Sequence, residues 1–146
     1  MADLYDALKL ENQLCFPLYA CSKEIVRAYK PYLDEFDLTY TQYITMMVLW
    51  EHRELRAKEL GQRLYLDSGT LTPLLKRLEE KGYVTRRRSK EDERDLIVTL
   101  TKQGEALKER AVTVPQRLAA CVALDPQKAQ TLYALLHEVL GKLTEN

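Results

Sequence analysis

With 146 residues, 46% hydrophobic content and only 5 Gly and 5 Pro, the chain has the size and apolar fraction of one compact domain. Its 22 Lys and Arg cancel its 22 Asp and Glu, which excludes a whole-molecule field drawing it to nucleic acid or anionic lipid, so any such site is local. The opening MADLYDALKLE has no basic region and apolar run, no stretch approaches the ~18 apolar residues of a membrane span, and three cysteines (15, 21, 121) without C-x-x-C spacing argue against a disulfide framework or a zinc site.

These exclusions predict a soluble cytoplasmic protein with no membrane partner, metal or cofactor. Apolar residues three and four apart run through most of the chain, and Gly and Pro are confined to a few places, so the expected fold is mainly α. A first helix is predicted over about Leu8 to Tyr29, ending near Lys30-Pro31 because proline disfavours a helical residue before it. Pro17, without an N–H, is expected to bend that helix beside Cys15. A second helix is predicted over about Thr41 to Glu51, capped by Thr39 or Thr41.

Next come a short helix near Ala57–Leu64, a link at Tyr65-Leu66-Asp67, and a longer helix from about Ser68 to Lys81 that Gly82 stops. Leu71, Leu74, Leu75 and Leu78 must face its core side, which leaves Thr70, Thr72, Lys76 and Arg77 facing outward, while Ser68, Thr70 and Thr72 offer hydroxyls at its N-terminal end; Pro73 is expected to loosen its first turn. Tyr83 to Arg88 is β-branched and basic, and Leu96-Ile97-Val98-Thr99-Leu100 is strand-like, so the two read as a hairpin with a charged tip, in a wing of two or three strands. Helical periodicity returns at Thr101, Pro115 interrupts or kinks it, and Asp125-Pro126 opens a last helix to Leu143.

Two short helices joined by a tight link and followed by a basic hairpin form a winged helix-turn-helix, whose second helix enters the major groove of DNA. From Lys76 to Arg94 there are eight basic residues against five acidic ones, a net +3 where a neutral protein needs it. Arg86-Arg87-Arg88 by itself is equally a charged strand edge protected from pairing. In the tip, Asp92 is placed to aim Arg94 into the minor groove. The candidate DNA-binding residues are therefore Ser68, Thr70, Thr72, Lys76, Arg77, Arg86, Arg88, Arg94 and Asp92.

Leu66-Asp67-Ser68-Gly69-Thr70-Leu71-Thr72-Pro73-Leu74-Leu75-Lys76-Arg77-Leu78-Glu79 followed by Asp92-Glu93-Arg94 resembles the multiple-antibiotic-resistance regulator (MarR) family of winged-helix dimers. Asn12-Gln13-Leu14-Cys15-Phe16, Tyr29-Lys30-Pro31, Leu38-Thr39-Tyr40, Gln42-Tyr43 and Leu49-Trp50-Glu51 are similar to its organic-hydroperoxide-sensing repressors. The likeness runs from about Lys9 to Gly104 and fades over the C-terminal third.

The resemblance implies a single domain over 1–146, with dimerisation helices in 1–35 and 105–146 around a DNA-binding lobe at 36–104. It further implies a homodimer on double-stranded palindromic operator DNA that represses when reduced and releases the DNA when an organic hydroperoxide oxidises Cys15. In that subgroup, tyrosines corresponding to Tyr29 and Tyr40 of the opposite subunit hold the thiolate; Tyr19, one turn from Cys15, is a third candidate.

A thiol buried among Leu14, Phe16 and Leu18 would by itself be unreactive, since desolvation disfavours the thiolate; phenol O–H donors and a helix N-terminus offset this. Oxidation gives a sulfenic acid that condenses with a second thiol. Cys21, six residues on, lies ~9 Å along a helix axis from Cys15, too far for the about 7 Å limit of a disulfide. Cys121 of the other subunit is the candidate resolving residue, and a low-molecular-weight thiol is its rival. A repressor induced by a small aromatic ligand, with Cys15 merely packing, is the alternative function; a thiol peroxidase is least favoured, because it leaves the basic wing unexplained.

Overall fold

The computed structural model describes residues 3–145, so Met1, Ala2 and Asn146 at the ends of the expected domain lie outside the described residues. The chain divides into two compact units, Met1–Val114 and Pro115–Asn146. The fold is mainly helical with a small three-stranded antiparallel sheet, as the winged-helix reading expects.

In the first unit, two short 3₁₀ turns, Leu4–Leu8 and Leu10–Asn12, precede α1 (Cys15–Asp34). The first helix thus starts later and ends later than the expected Leu8–Tyr29. Upstream, the Gln13 amide donates to Ala7 O at 2.7 Å and Lys9 O at 2.8 Å, and Asn12 Nδ2 donates to Asp6 O at 2.7 Å, which holds the backbone in 3₁₀ form. Pro17 then has no N–H to give Gln13 C=O, so the first helical bond falls on Leu14. It sits in the first turn, where a missing donor costs little, and marks the helix start instead of bending its middle.

At the other end Pro31 lies inside α1, not beyond it. Burial of Leu33 carries the helix past it. Closure comes from Asp37 in the left-handed region (φ 54) and from Leu38 N–H returning to Leu33 O at 3.2 Å, the bond pattern of a Schellman cap.

α2 (Tyr40–His52) opens on a reciprocal capping box: Thr39 Oγ1 accepts from Gln42 N–H (3.3 Å) and Gln42 Oε1 accepts from Thr39 N–H (3.0 Å), which selects Thr39 over Thr41 as cap. β1 (Glu54–Arg56) follows, a strand that three residues are too few to announce by periodicity. α3 (Ala57–Leu64) and α4 (Ser68–Glu80) are joined by left-handed Tyr65 and capped by Asp67, whose carboxylate accepts from Thr70 N–H at 2.8 Å. A Cβ on Gly61 would stand 2.8 Å from Leu66 O, so the tightness of this turn depends on that glycine. α4 is α-helical throughout despite Pro73; the loosened 3₁₀-like first turn expected from that proline does not occur.

β2 (Val84–Arg88) and β3 (Leu96–Leu100) form the hairpin, and β3 is central in the order β1-β3-β2, pairing Leu55 with Val98 on one side and Arg86 with Val98 on the other. α5 (Lys102–Ala111) starts under a Thr101 cap. Leu33, Leu38, Met46, Leu49, Leu60, Leu71, Leu75, Leu78, Val84, Val98 and Leu107 make the core beneath the helix-turn-helix.

In the second unit, α6 (Val114–Val122) and α7 (Pro126–Thr144) follow; Pro115 stands in the first turn of α6, so it separates two helices and does not kink one. Asp125 caps α7, accepting from Lys128 N–H at 3.3 Å. No residue of α7 is fully buried in the single chain. Among the described residues no helix is long and apolar enough to cross a membrane.

Candidate DNA-reading face and sensor thiol

The amphipathic division of α4 fixes what the reading face presents. Leu71, Leu74, Leu75 and Leu78 are buried, and Ser68, Thr70, Thr72, Lys76 and Arg77 are all exposed, the last four as their spacing predicts. Beside them a crevice of about 440 Å³ separates α3 and α4 from the wing, lined among others by Lys58, Thr72, Arg88 and Arg94. Lys58, in the first turn of α3, was not singled out from the sequence; its lone charge gives no signal until the fold brings it beside the wing.

At the wing tip Asp92 grips Arg94 by three bonds: Oδ1 accepts from the backbone N–H (3.0 Å) and from Nε (3.2 Å), and Oδ2 from Nη2 (3.3 Å). These bonds hold the Asp92 carboxyl below its usual range, with Arg56 adding a smaller attraction. The Arg94 side chain, 91% exposed, stands out into solvent in a fixed direction.

The Arg86-Arg87-Arg88 run is not uniform. Arg86 turns back onto Glu79 (Nη2 to Oε1 3.2 Å), and Arg87 pairs with Glu54 (3.1 Å), which also accepts from Thr99 Oγ1 at 2.8 Å. Among the described residues Arg88 is exposed with no ion-pair partner. Glu54 and Glu79 are held below the usual carboxylate range, Glu54 chiefly by the Thr99 hydroxyl and then Arg87, Glu79 by Arg86. Neither acid was legible as a partner in the sequence, since each meets its arginine only through the tertiary fold.

Cys15 is the first residue of α1 and is exposed, as are Leu14 (79%) and Phe16 (41%). The burial among apolar neighbours expected from the sequence is therefore absent in one chain, because helix α1 begins there and leaves Cys15 exposed among the described residues. Its place in the first turn gives the sulfur unpaired N–H groups for neighbours. Tyr19, 59% exposed, follows one turn later, with the Lys23 ammonium 5.4 Å from its ring centre. Among the described residues no disulfide is formed, and Cys15 and Cys21 share one helix, where the ~9 Å axial offset applies.

Tyr29 and Tyr40 come together at the far end of α1. Their ring centres lie 4.9 Å apart, and Tyr43 joins at 5.7 Å from Tyr29, with Trp50 against Tyr43 at 6.4 Å. Burial pushes the Tyr29 phenol up to about 12, with Tyr40 and Tyr43 adding to it, and raises Tyr40 and Tyr43 as well. All three remain O–H donors at neutral pH. Tyr29 stands fourteen residues from Cys15 on one helix, roughly 21 Å along the axis, so the Tyr29–Tyr40 pair of a chain does not reach its own thiol.

A family model for the transcriptional regulators SarA/Rot matches residues 27–111. The organic hydroperoxide resistance transcriptional regulator of Bacillus subtilis is 47% identical over 143 residues, covering 98% of this chain and 97% of that one. The chain belongs to the MarR/OhrR-type transcriptional regulators. The relationship covers the C-terminal third, where the motif likeness had faded.

Among solved structures of this regulator family, reduced AbfR bound to DNA superposes with a TM-score of 0.78 at 36% identity, over 96% of this chain and 98% of that one. The disulfide form of AbfR superposes less closely, with a TM-score of 0.65 at 37% identity over 92% and 95%. AbfR is a Staphylococcus epidermidis protein.

Proposed function

We propose that this regulator is a homodimeric repressor that binds a palindromic operator through α4 and the wing and is released when an organic hydroperoxide oxidises Cys15. The observation that carries the reading is a site split between the two ends of α1. A thiol in a helix first turn is uncovered at one end, and a cluster of protonated phenols is held at the other. A two-fold partner laid antiparallel along α1 brings Tyr29 and Tyr40 of one chain to Cys15 of the other. The existence of AbfR structures both reduced on DNA and in a disulfide form supports a thiol switch in this family.

In the first step the Cys15 thiolate attacks the distal oxygen of the hydroperoxide; the O–O bond breaks, sulfur loses two electrons to become a sulfenate, and the peroxide leaves as an alcohol after taking a proton. Phenol O–H groups of Tyr29 and Tyr40 stabilise the thiolate by donating to it, and Tyr19 supplies a donor from the same helix. The sulfenic acid then condenses with a second thiol, forming an S–S bond and releasing water. That thiol is Cys121 of the other subunit or a small cellular thiol. A disulfide at Cys15 displaces the phenols, and a few kcal/mol of differential stability suffices to empty the DNA-bound conformation.

On the DNA, Ser68, Thr70 and Thr72 face base edges, Lys76, Arg77 and Arg88 face phosphate, and Arg94, aimed by Asp92, enters the minor groove.

Gel shifts on a duplex selected from a random pool with reduced wild type test the reading. Stoichiometric cumene hydroperoxide should release wild type and leave Cys15→Ser bound; release of both, or of neither, overturns it. Mass spectrometry and non-reducing gels then separate an intersubunit disulfide from an adduct on each monomer.

A further inference from the structure

β2 is an edge strand: β3 lies on one side of it and, among the described residues, no strand lies on the other. Its outward N–H groups therefore need acceptors from elsewhere or from water. Glu79, in the last turn of α4, supplies one. Its Oε2 accepts from the Arg86 backbone N–H at 2.8 Å, while Oε1 accepts from Arg86 Nε at 3.3 Å and Nη2 at 3.2 Å. One carboxylate takes the place of a strand neighbour and neutralises the guanidinium beside it. The Arg86 side chain is only 21% exposed, against 91% for Arg94.

These contacts set two residues apart from the DNA-reading group. We propose that Glu79 is a positioning residue that locks the wing to the recognition helix through Arg86, so that α4 in the major groove and Arg94 in the minor groove engage DNA as one rigid unit, and that Arg86 is part of this lock and not a phosphate contact. The proposal rests on the DNA-binding reading above. The contact ties the middle of β2 to the last turn of α4, beyond the Tyr83 N–H to Leu78 O bond at 3.1 Å that joins the start of the wing to the same helix, and β2 runs on from it toward the tip that carries Asp92 and Arg94. Without it the wing is held to the body by Val84 in the core, by β3 and by the Glu54–Arg87 and Arg56–Asp95 ion pairs, none of which joins the middle of β2 to α4.

A double-mutant cycle read by fluorescence anisotropy with the full reduced dimer and the selected duplex tests this. In the wild-type background Arg94→Ala should weaken binding about tenfold, the ordinary cost of losing one DNA contact. In a Glu79→Ala background the same change should cost less than about threefold, because an unpositioned arginine has little left to lose. Equal losses in both backgrounds would sink the proposal. Should Glu79→Ala not fold, Glu79→Gln carries the same cycle; keeping an acceptor for the backbone N–H, it should fall between wild type and alanine.

The salt dependence tests Arg86 separately. Arg88→Met should lower the slope of log K against log salt by roughly 0.9 per contact, the value of one phosphate neutralised, whereas Arg86→Met should leave it unchanged, and an equal drop for Arg86→Met overturns the assignment. Failure of reduced wild type to select any duplex would instead strike the DNA-binding reading itself.

Discussion

The winged lobe and the last helix satisfy their surfaces in opposite ways. Around α3, α4 and the wing the leucines are buried against one another and the acids meet their arginines inside one chain. Along α7, Leu132, Leu135, Leu136, Val139 and Leu143 form a stripe at helical spacing that stays 38–77% exposed. A lobe complete in one chain suits the proposed reading head, and an exposed apolar stripe suits the proposed dimer interface. The thiol belongs to the second kind, since the groups that would serve it lie at the wrong end of its own helix.

That contrast can be broken most severely at α7. Leu136→Glu with Val139→Glu should leave the winged lobe folded while sedimentation shows a monomer. Operator affinity should fall by about a hundredfold or more, since a single head loses the gain of two linked contacts. A dimeric double variant with intact affinity would remove α7 from the interface.

A smaller effect is expected at the phenols. Tyr29→Phe with Tyr40→Phe should leave operator binding by the reduced protein nearly intact but slow its loss on hydroperoxide addition by about tenfold, a charge-assisted hydrogen bond being worth about 1.5–3 kcal/mol. Stopped-flow anisotropy gives the rate, and an unchanged rate would leave the phenols without a part in sensing. Asp92→Ala should cost severalfold in affinity, less than the about tenfold of Arg94→Ala, because it frees the arginine without deleting it. Equal affinity with wild type would mean the arginine needs no guide.

The smallest effect is thermodynamic. Tyr29 titrates in the folded chain at about 12 against an ordinary 10.0, so its neutral form is favoured by folding. The associated stability is whole below pH 10, and is lost as pH rises through 10 toward 12. Alkaline spectrophotometric titration should show the tyrosines of the cluster ionising after the exposed ones, and urea midpoints should fall over the same interval.

Sequence legibility followed the same division. Helices α3 and α4 were readable nearly to the residue because Leu71, Leu74, Leu75 and Leu78 obey one period and Gly82 ends it. β1 was hidden, since three residues carry no period and its pairing with Ile97–Thr99 is made more than forty residues away. The start of α1 was misplaced because Pro17 reads equally as an interruption or a beginning, and the side-chain bonds of Asn12 and Gln13 decide between them. The proposed joining of Cys15 to Tyr29 and Tyr40 rests on family likeness, for no spacing within a chain encodes a neighbour that another chain would contribute. The Glu79–Arg86 contact was equally invisible, because it depends on where an edge strand docks.

Pro17 carries a consequence for how the thiol is tuned. A ring nitrogen bearing no hydrogen leaves Gln13 C=O without a helical donor, so helical bonding begins at Leu14 and places the Cys15 sulfur in the first turn. Swapping in alanine would let the winding creep toward the preceding turns and draw the sulfur inward, and slower alkylation by iodoacetamide would register the move. The placing of residue 15 is in that sense written at residue 17.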